Sequence, residues 1–301
     1  MCSTDTIERP TAGRYARDIL ALQERLNFRS LHDVESAGIY AARRADGLVT
    51  LGLRTDQLSS RHLLGLQGFR LAQYLQLGWV CPDRIAAQGM FCEPTVGMRD
   101  DDLHMVTVDR SGQILGYLGL VGAGDGAARP LDDPDRELFP VEVAHGINLF
   151  DTVPTVRNVT ADQVRELKRF VHRRSMTDKL LRLRVSLELL LAAGTIIADE
   201  PNVRLVTGDV EEHVALRHLV LIGLQVQLID GTTPQLNTEH YLHLAYVKRG
   251  PVRPFVAEVP SSAELRARMD RLQSILSADD VGSAARMLLG RPGGSVERIA
   301  A

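Results

Sequence analysis

Cysteine is scarce. The chain of 301 residues holds three, Cys2, Cys81 and Cys92, with no CxxC pair and no His-x-Cys cluster. This excludes a disulfide framework and a cysteine-rich zinc site, and it fits a reducing, cytoplasmic setting. Long apolar runs are also missing. No stretch of about 18 apolar residues occurs, and the N-terminus lacks the apolar segment of a secretory signal. The expectation is a cytoplasmic protein with no membrane partner. Large net charge is absent too: 35 Lys and Arg face 38 Asp and Glu, a balance of −3. A nucleic-acid binder that is basic throughout is excluded, so any basic surface must be local.

What is present is ordinary globular material, 45% hydrophobic and 24% charged. The length suits one large domain with an elaborated terminus, or two domains. Residues 1–12 read as a loose tail. Helical spacing of Ile19, Leu22 and Leu26 predicts a helix over 14–26, and a second helix is expected over 30–44. Gly47 breaks the pattern before a short strand, "LVTLGL". A long helix follows over 56–77 and stops at Gly78. Residues 80–100 read as loop. The sequence "LHMVTVDRSGQILGYLGLVG" then places two apolar runs around Asp109-Arg110-Ser111-Gly112, which predicts a β-hairpin.

Beyond a Gly-, Asp- and Pro-rich loop over 122–137, "QVRELKRFVH" reads as a strand. "LRLRVSLEL" alternates like a strand, yet its Leu, Arg and Glu and the apolar run reaching Ala193 favour helix. A strand over 203–208, a helix over 209–221 starting at Asp209 and ending at Gly223, and strands in "LQVQLI" and "TEHYLHLAYV" follow. Ser261-Ser262-Ala263-Glu264 is a capping box before a helix over 262–277. Gly290 to Gly294 reads as a frayed tail. The order, helices and then mixed strands and helices, predicts an α/β core behind a helical front end.

Two motifs invite functional readings. "GLVGAGDGAAR" carries Gly122, Gly124 and Gly126 after a strand, but it leads into "PLDDPD" rather than a helix, so the loop reading is preferred to a dinucleotide site. "QVRELKRFVHRRSMTDKLLRLR", residues 163–184, gathers eight Lys or Arg around two acids, Glu166 and Asp178. One reading is a solvated face. The other places Arg173 and Arg174 beside a helix N-terminus capped by Ser175 or Thr177, an arrangement that favours anions such as phosphate. The histidines give no ligand pattern: His213 and His218 are five apart and do not share a helix face, and His145 reads as a loop residue.

The segment "ELFPVEVAHG…VRELKRFV" resembles the acyl-homoserine-lactone synthase branch of the GNAT-type N-acyltransferase superfamily. Phe139-Pro140 and His145-Gly146 fit its turn, and Glu166, Leu167, Arg169 and Phe170 fit its strand. "FRLAQYLQLGW" is similar to its early helix, with Arg70 and Trp79 matching. "DDDLHMVTVDRSGQILGYLGL" is similar to its acidic lead-in and hairpin, with Asp101 and Asp102 near the expected acids. "RLVTGDVEEHVALRHLVLIGLQVQLI" is similar to its late strand, helix and strand, with Thr207 at the splayed strand. The resemblance covers about residues 68–230. The strand Trp of the family is Arg165 here, its Ser is Lys168, and its hairpin Arg falls near Gly119. The glycine-rich pyrophosphate loop of coenzyme A users is absent.

The resemblance implies a GNAT-like α/β fold with a mixed central sheet and splayed strands. To that are added a helical N-terminal segment (1–79), a core (80–258), and a C-terminal helix and tail (259–301). It implies an N-acyltransferase that moves an acyl or aminoacyl group to the amine of a small-molecule biosynthetic intermediate. The donor is an acyl carrier protein or an aminoacyl-tRNA, in preference to free acyl-coenzyme A. No cofactor is implied beyond this co-substrate, presented on coenzyme A or phosphopantetheine. Glu166 is then the general base, or else a salt-bridge partner of Arg169 or Arg70. Tyr241, sharing a strand face with Glu239 and His243, is a candidate acid for the leaving group, or part of a half-exposed edge strand. Arg169, Arg173, Arg174, Ser175 and Thr177 are donor-binding candidates. Arg70, Trp79, Asp101, Asp102 and Thr207 are acceptor-binding candidates, the two aspartates alternatively being turn residues. The rival from another class is a non-catalytic GNAT-like binding or regulatory protein, favoured by a filled cleft between the central strands.

Overall fold

The chain enters its sheet from a helix. In the computed structural model α1 (Ala12–Arg25) is capped by Thr11, whose side chain accepts from the Arg14 amide at 3.4 Å. The structure describes residues 11–95, 97–123, 128–153, 156, 158–200, 202–211, 216–248, 252–278, 280–283, 286 and 295–300. The expectations for residues 1–10, Gly124, Gly126, His213 and 290–294 lie outside the described residues.

The helix expected over 30–44 is instead a 3-10 segment, Arg29–Ala37, followed by β1 (Tyr40–Arg43). The backbone of 40–43 pairs along β2 (Val49–Arg54), and that ladder overrides the helical spacing. α2 (Ser60–Leu77) is capped by Ser59 and ends at Gly78, which takes the left-handed conformation at φ 68°. Inside the region expected to be loop lies a short helix, α3 (Pro82–Ala87), with Pro in its first turn. The hairpin forms as expected from β3 (Leu103–Val108) and β4 (Ile114–Val121). Asp109 Oδ1 accepts from the Ser111 and Gln113 amides at 2.8 and 2.9 Å and closes the turn.

"PVEVAH" is α4 (Pro140–His145), ended by Gly146 at φ 65°. His145, expected in a loop, is therefore the fully buried last residue of a helix. β5 (Val164–His172) hands over to α5 (Lys179–Asp199), so helix wins over the alternating pattern in "LRLRVSLEL". α5 lies over a sheet face and is buried on most sides, which is why its apolar residues do not show a single stripe.

Asp209 does not start a helix. β6 (Leu205–Glu211) runs through it, held by β8 (Val252–Glu258) along its whole length, from Leu205 opposite Glu258 to Glu211 opposite Val252. α6 (Leu216–Leu221) and β7 (Gln225–Asp230) follow. The strand expected in "TEHYLHLAYV" is a turn and α7 (His243–Lys248), because Leu242 and Ala245 bury, and Tyr246 partly buries, at helical spacing. α8 (Ser262–Leu276) has the expected capping box at Ser261 and Glu264. The last described residues form β9 (Ser295–Ala300), parallel to β7, rather than a tail.

All nine strands form one sheet in the order β1-β2-β3-β4-β5-β6-β8-β7-β9. The two strands β1 and β2 pair into it through β3, so the N-terminal segment adds two strands to the sheet besides the helices α1 and α2. One core lies between the sheet and α5 with α8, and a second between the sheet and α1 with α2. Two glycines let α5 approach: a Cβ on Gly52 would sit 2.6 Å from Ile196, and one on Gly116 would sit 2.5 Å from Val185. A third core, around Phe139, Phe150 and Ile229, seats α4 beside β6. This is the mixed α/β architecture, with a parted pair of central strands, that the sequence resemblance implies.

Candidate active site

The parting of the central strands creates the site. β5 and β6 run parallel and pair only over Val164–Leu205, Arg165–Val206 and Glu166–Thr207. β5 then continues to His172 and β6 to Glu211 with no further pairing. Gly208 marks the divergence: its φ is 152°, and a Cβ there would lie 2.8 Å from the Leu167 carbonyl oxygen. A residue with a side chain would press on the neighbouring strand at this point.

On its other edge β5 carries a bulge. Tyr117 faces Val171 and Gly119 faces Lys168, so Leu118 alone opposes Arg169 and Phe170. Arg169 takes φ 63°, a left-handed value rare for a side chain of its size. The consequence is local and chemical. Neighbours on a regular strand point to opposite faces, but here Lys168 and Arg169 both line the same cavity.

That cavity, about 580 Å³, opens in the gap between β5 and β6. Glu166, Lys168, Asp209 and Glu211 come from the parted strands, and Arg70, Tyr74 and Trp79 from α2 and its C-terminal end. Tyr117, Tyr241 and Tyr246 add aromatic wall. Glu166 is nearly fully buried, and its Oε2 accepts from the Val141 amide, at the start of α4, at 3.0 Å. Burial pushes its carboxyl up to about 7, against the pull of Lys168. Burial brings Lys168 down to about 8, against the pull of Glu166. The pair therefore carries a mobile proton near neutral pH.

α4 is held in place by a second buried pair. Arg136 makes two hydrogen bonds to Glu142, at 2.6 and 2.7 Å, and Glu142 also accepts from the Phe139 and Leu149 amides at 2.9 and 2.8 Å. The Val141 amide thus reaches Glu166 from a fixed frame.

Behind the opposite wall lies Glu93, fully buried. It pairs with Arg70 Nε and, at 3.2 Å, with Arg169 Nε, and it accepts from Tyr241 Oη at 2.7 Å. Burial opposes its ionisation, but Arg169 and Arg70 outweigh that and hold the carboxyl below its usual range. Tyr117 Oη lies 3.4 Å from Arg70 Nη1 and 2.7 Å from His104 Nδ1. Burial brings His104 down to about 3, so its ring is neutral. Tyr246 donates to Asp209 on the far side of the gap. Glu93, His104, Tyr117 and Tyr246 carry no motif in the sequence. Glu93 sits in a loop, and only folding brings it to two arginines 23 and 76 residues away in the chain.

The expected site residues divide into two groups. Glu166, Arg169, Arg70, Trp79, Asp102 and Tyr241 meet at the cavity. Asp102 does so with its carboxylate tied to the Arg99 and Gly122 amides at 3.1 and 3.3 Å. Asp101 turns away to Arg99, at 2.7 Å, and Thr207 donates to the Phe255 carbonyl at 2.8 Å inside the core. Arg173 is buried: it donates to the Ile114 carbonyl at 2.8 Å and pairs with Glu24 at 3.0 Å. Neither Ser175 nor Thr177 caps α5. Asp178 does, accepting from the Leu180 and Leu181 amides at 2.8 and 3.2 Å, so a carboxylate occupies the expected anion site. Arg174, Ser175 and Thr177 are exposed. Half of the basic stretch is neutralised within the molecule, Arg165 by Glu200, Arg169 by Glu93, Arg173 by Glu24 and Arg184 by Asp46. Among the described residues no helix is long and apolar enough to cross a membrane.

No protein-family model and no curated protein matches the chain. Solved structures do. TofI, in a ternary complex with an inhibitor and MTA, is 19% identical, with a TM-score of 0.43 over 73% of this chain and 96% of TofI. BjaI, a CoA-dependent acyl-homoserine lactone synthase with MTA, is 14% identical, with a TM-score of 0.43 over 82% and 91%. An acyl-CoA N-acyltransferase from Pseudomonas aeruginosa is 15% identical, with a TM-score of 0.36 over 70% and 99%. At these values the likeness bears on no residue's role, and the functional reading rests on the site of this chain.

Proposed function

We propose that the chain is an N-acyltransferase, moving an acyl or aminoacyl group from a carrier-bound donor to the amine of a small-molecule biosynthetic intermediate. One observation carries the reading. Glu166, a buried carboxyl raised to about 7, stands where β5 and β6 part and opens onto a cavity of about 580 Å³. A general base works best when its pKa lies near the working pH, and an amine nucleophile must first lose a proton. The cleft between the central strands is open rather than filled, which supports the catalytic reading over a non-catalytic binding protein.

In this reading the amine enters as ammonium, and Glu166 takes a proton from it. The free amine attacks the donor carbonyl, forming the N–C bond and an oxyanion. A backbone amide of β5 beyond Glu166, on the edge where β5 and β6 no longer pair, is the donor assigned to that oxyanion. The attacking nitrogen then sheds its second proton to solvent, the C–S or C–O bond of the donor breaks, and the proton held by Glu166 passes to the leaving group. Arg70 and Arg169, two cations sharing the single carboxylate of Glu93, leave net positive charge on the acceptor side for an anionic group.

A carrier-bound donor is favoured over free coenzyme A. Between Phe170 and α5 there is no glycine to let the backbone close on a pyrophosphate, and Asp178 fills the N-terminus of α5. Exposed Arg174 is the donor contact retained from the basic stretch. The test is to incubate the purified protein with one acyl group on coenzyme A, on a carrier protein and on tRNA, together with a panel of small amines. New amides appear by mass spectrometry, fastest from a macromolecular donor. Efficient use of free acyl-coenzyme A at micromolar concentration, with no gain from either macromolecule, refutes the donor assignment.

A further inference from the structure

Lysine is almost unused as a cation in this chain. Of 35 Lys and Arg, three are lysines: Lys168, Lys179 and Lys248. Lys179 and Lys248 are exposed. Lys168 is half-buried and lines the central cavity. Arginine stays charged in proteins, whereas a lysine loses its proton when taken out of water. The one interior lysine therefore stands where a removable proton has a use.

Its surroundings point the same way. Glu166 lies two residues before it on the same strand face, within electrostatic reach. Opposite Lys168 on β4 is Gly119, which presents no side chain to cover the amine. Lys168 takes part in none of the ion pairs between described residues, unlike its neighbours Arg165, Arg169 and Arg173. Glu166, Arg169, Arg70 and Glu93 are the charged groups that face it. Burial, with the two cations Arg169 and Arg70 nearby, opposes its charge more than the two carboxylates support it, and its amine is brought down to about 8.

We propose that Lys168 is a self-acylation site, an amine within the cleft that takes the acyl group of an activated thioester when no acceptor is bound. The inference rests on the reading of the cleft as an acyl-donor site. The neutral Nζ attacks the thioester carbonyl, the N–C bond forms and the C–S bond breaks. The surplus amine proton passes to Glu166 and on to the departing thiolate. The products are a free thiol and N-acyl-Lys168. An amide does not reopen under these conditions, so the event is a modification that fills the cleft and removes a charge beside Glu166, not a step of turnover.

The other two lysines are internal controls. The full chain is incubated at pH 8 with the acetyl thioester of N-acetylcysteamine and no added amine, and acetylation is followed at each lysine by peptide mass spectrometry. Lys168 should be acetylated about tenfold or more faster than Lys179 and Lys248, although those two are the exposed ones. Labelling of Lys168 at or below the rate of the exposed pair overturns the proposal. The two readings separate cleanly. A chain that acylates added amines but leaves Lys168 unlabelled keeps the proposed function and loses this site. A chain that labels Lys168 but makes no new amide keeps the site and loses the function.

Discussion

Glu93 shows how a single residue holds one wall of the cleft. It is the shared partner of Arg70 and Arg169 and the acceptor of Tyr241. Glu93→Ala leaves two buried guanidiniums without it, and breaking such a pair costs about 3–5 kcal/mol. Urea denaturation should show that loss, and an unchanged midpoint would mean that the arginines are solvated in the native state. The two adjacent arginines of the basic stretch should behave differently. Arg173→Glu places a carboxylate against Glu24 and lowers stability. Arg174→Glu leaves stability unchanged and weakens donor binding, with an affinity that falls as salt is added. Equal stability losses in both variants would show that Arg174 too is structural.

At the scale of elements, the parted strands depend on Gly208. Gly208→Ala meets both a φ of 152° and the Leu167 carbonyl at 2.8 Å, so it should cost about 1–3 kcal/mol and distort the cleft. A calorimetric midpoint equal to the parent's would show that the backbone relaxes there without strain. Capping makes a milder prediction: Asp178→Ala removes the acceptor of the Leu180 and Leu181 amides and should cost about 1 kcal/mol.

The same scale shows what the sequence made legible. The hairpin was readable because its turn is local, with Asp109 and Gly112 closing it within five residues. α2 and α8 carry their own caps at Ser59, Gly78 and Ser261. β8 was not readable because Pro254 argues against a central strand. The structure accommodates it because β7 pairs with β8 only from Phe255 onward, so Pro254 is opposed by β6 alone. α7 is hidden in the sequence because Tyr241 and His243 mimic a strand period over a few residues. Glu166, Arg169 and Arg70 were legible through their motifs. Glu93 and Tyr246 were not, since their partners lie on distant elements.

For the whole molecule, pH acts in two opposed senses. Buried His104 and half-buried His172 have values brought down to about 3 and about 4 by desolvation. A histidine depressed on folding stabilises above its unfolded value near 6.5, and that contribution is lost as pH falls toward the folded value. Glu166, raised to about 7 on folding, has the reverse effect: its contribution is full below its unfolded value of 4.5 and lost as pH rises through about 7. Glu166→Gln should therefore raise thermal stability relative to the parent at pH 8 and not at pH 4. A midpoint difference independent of pH would deny the raised value.

The central claim is that Glu166 is the base of an N-acyl transfer carried out in the gap between β5 and β6. The most direct measurement is the rate of amide formation by the parent and by Glu166→Gln across pH 5 to 9, with a carrier-bound donor. The account predicts a parent rate that rises with pH through about 7 as the carboxyl ionises, and a folded variant slower by about 100-fold or more. A variant with the parent's rate and pH profile would contradict it, leaving Glu166 as a structural partner of Val141 and Lys168.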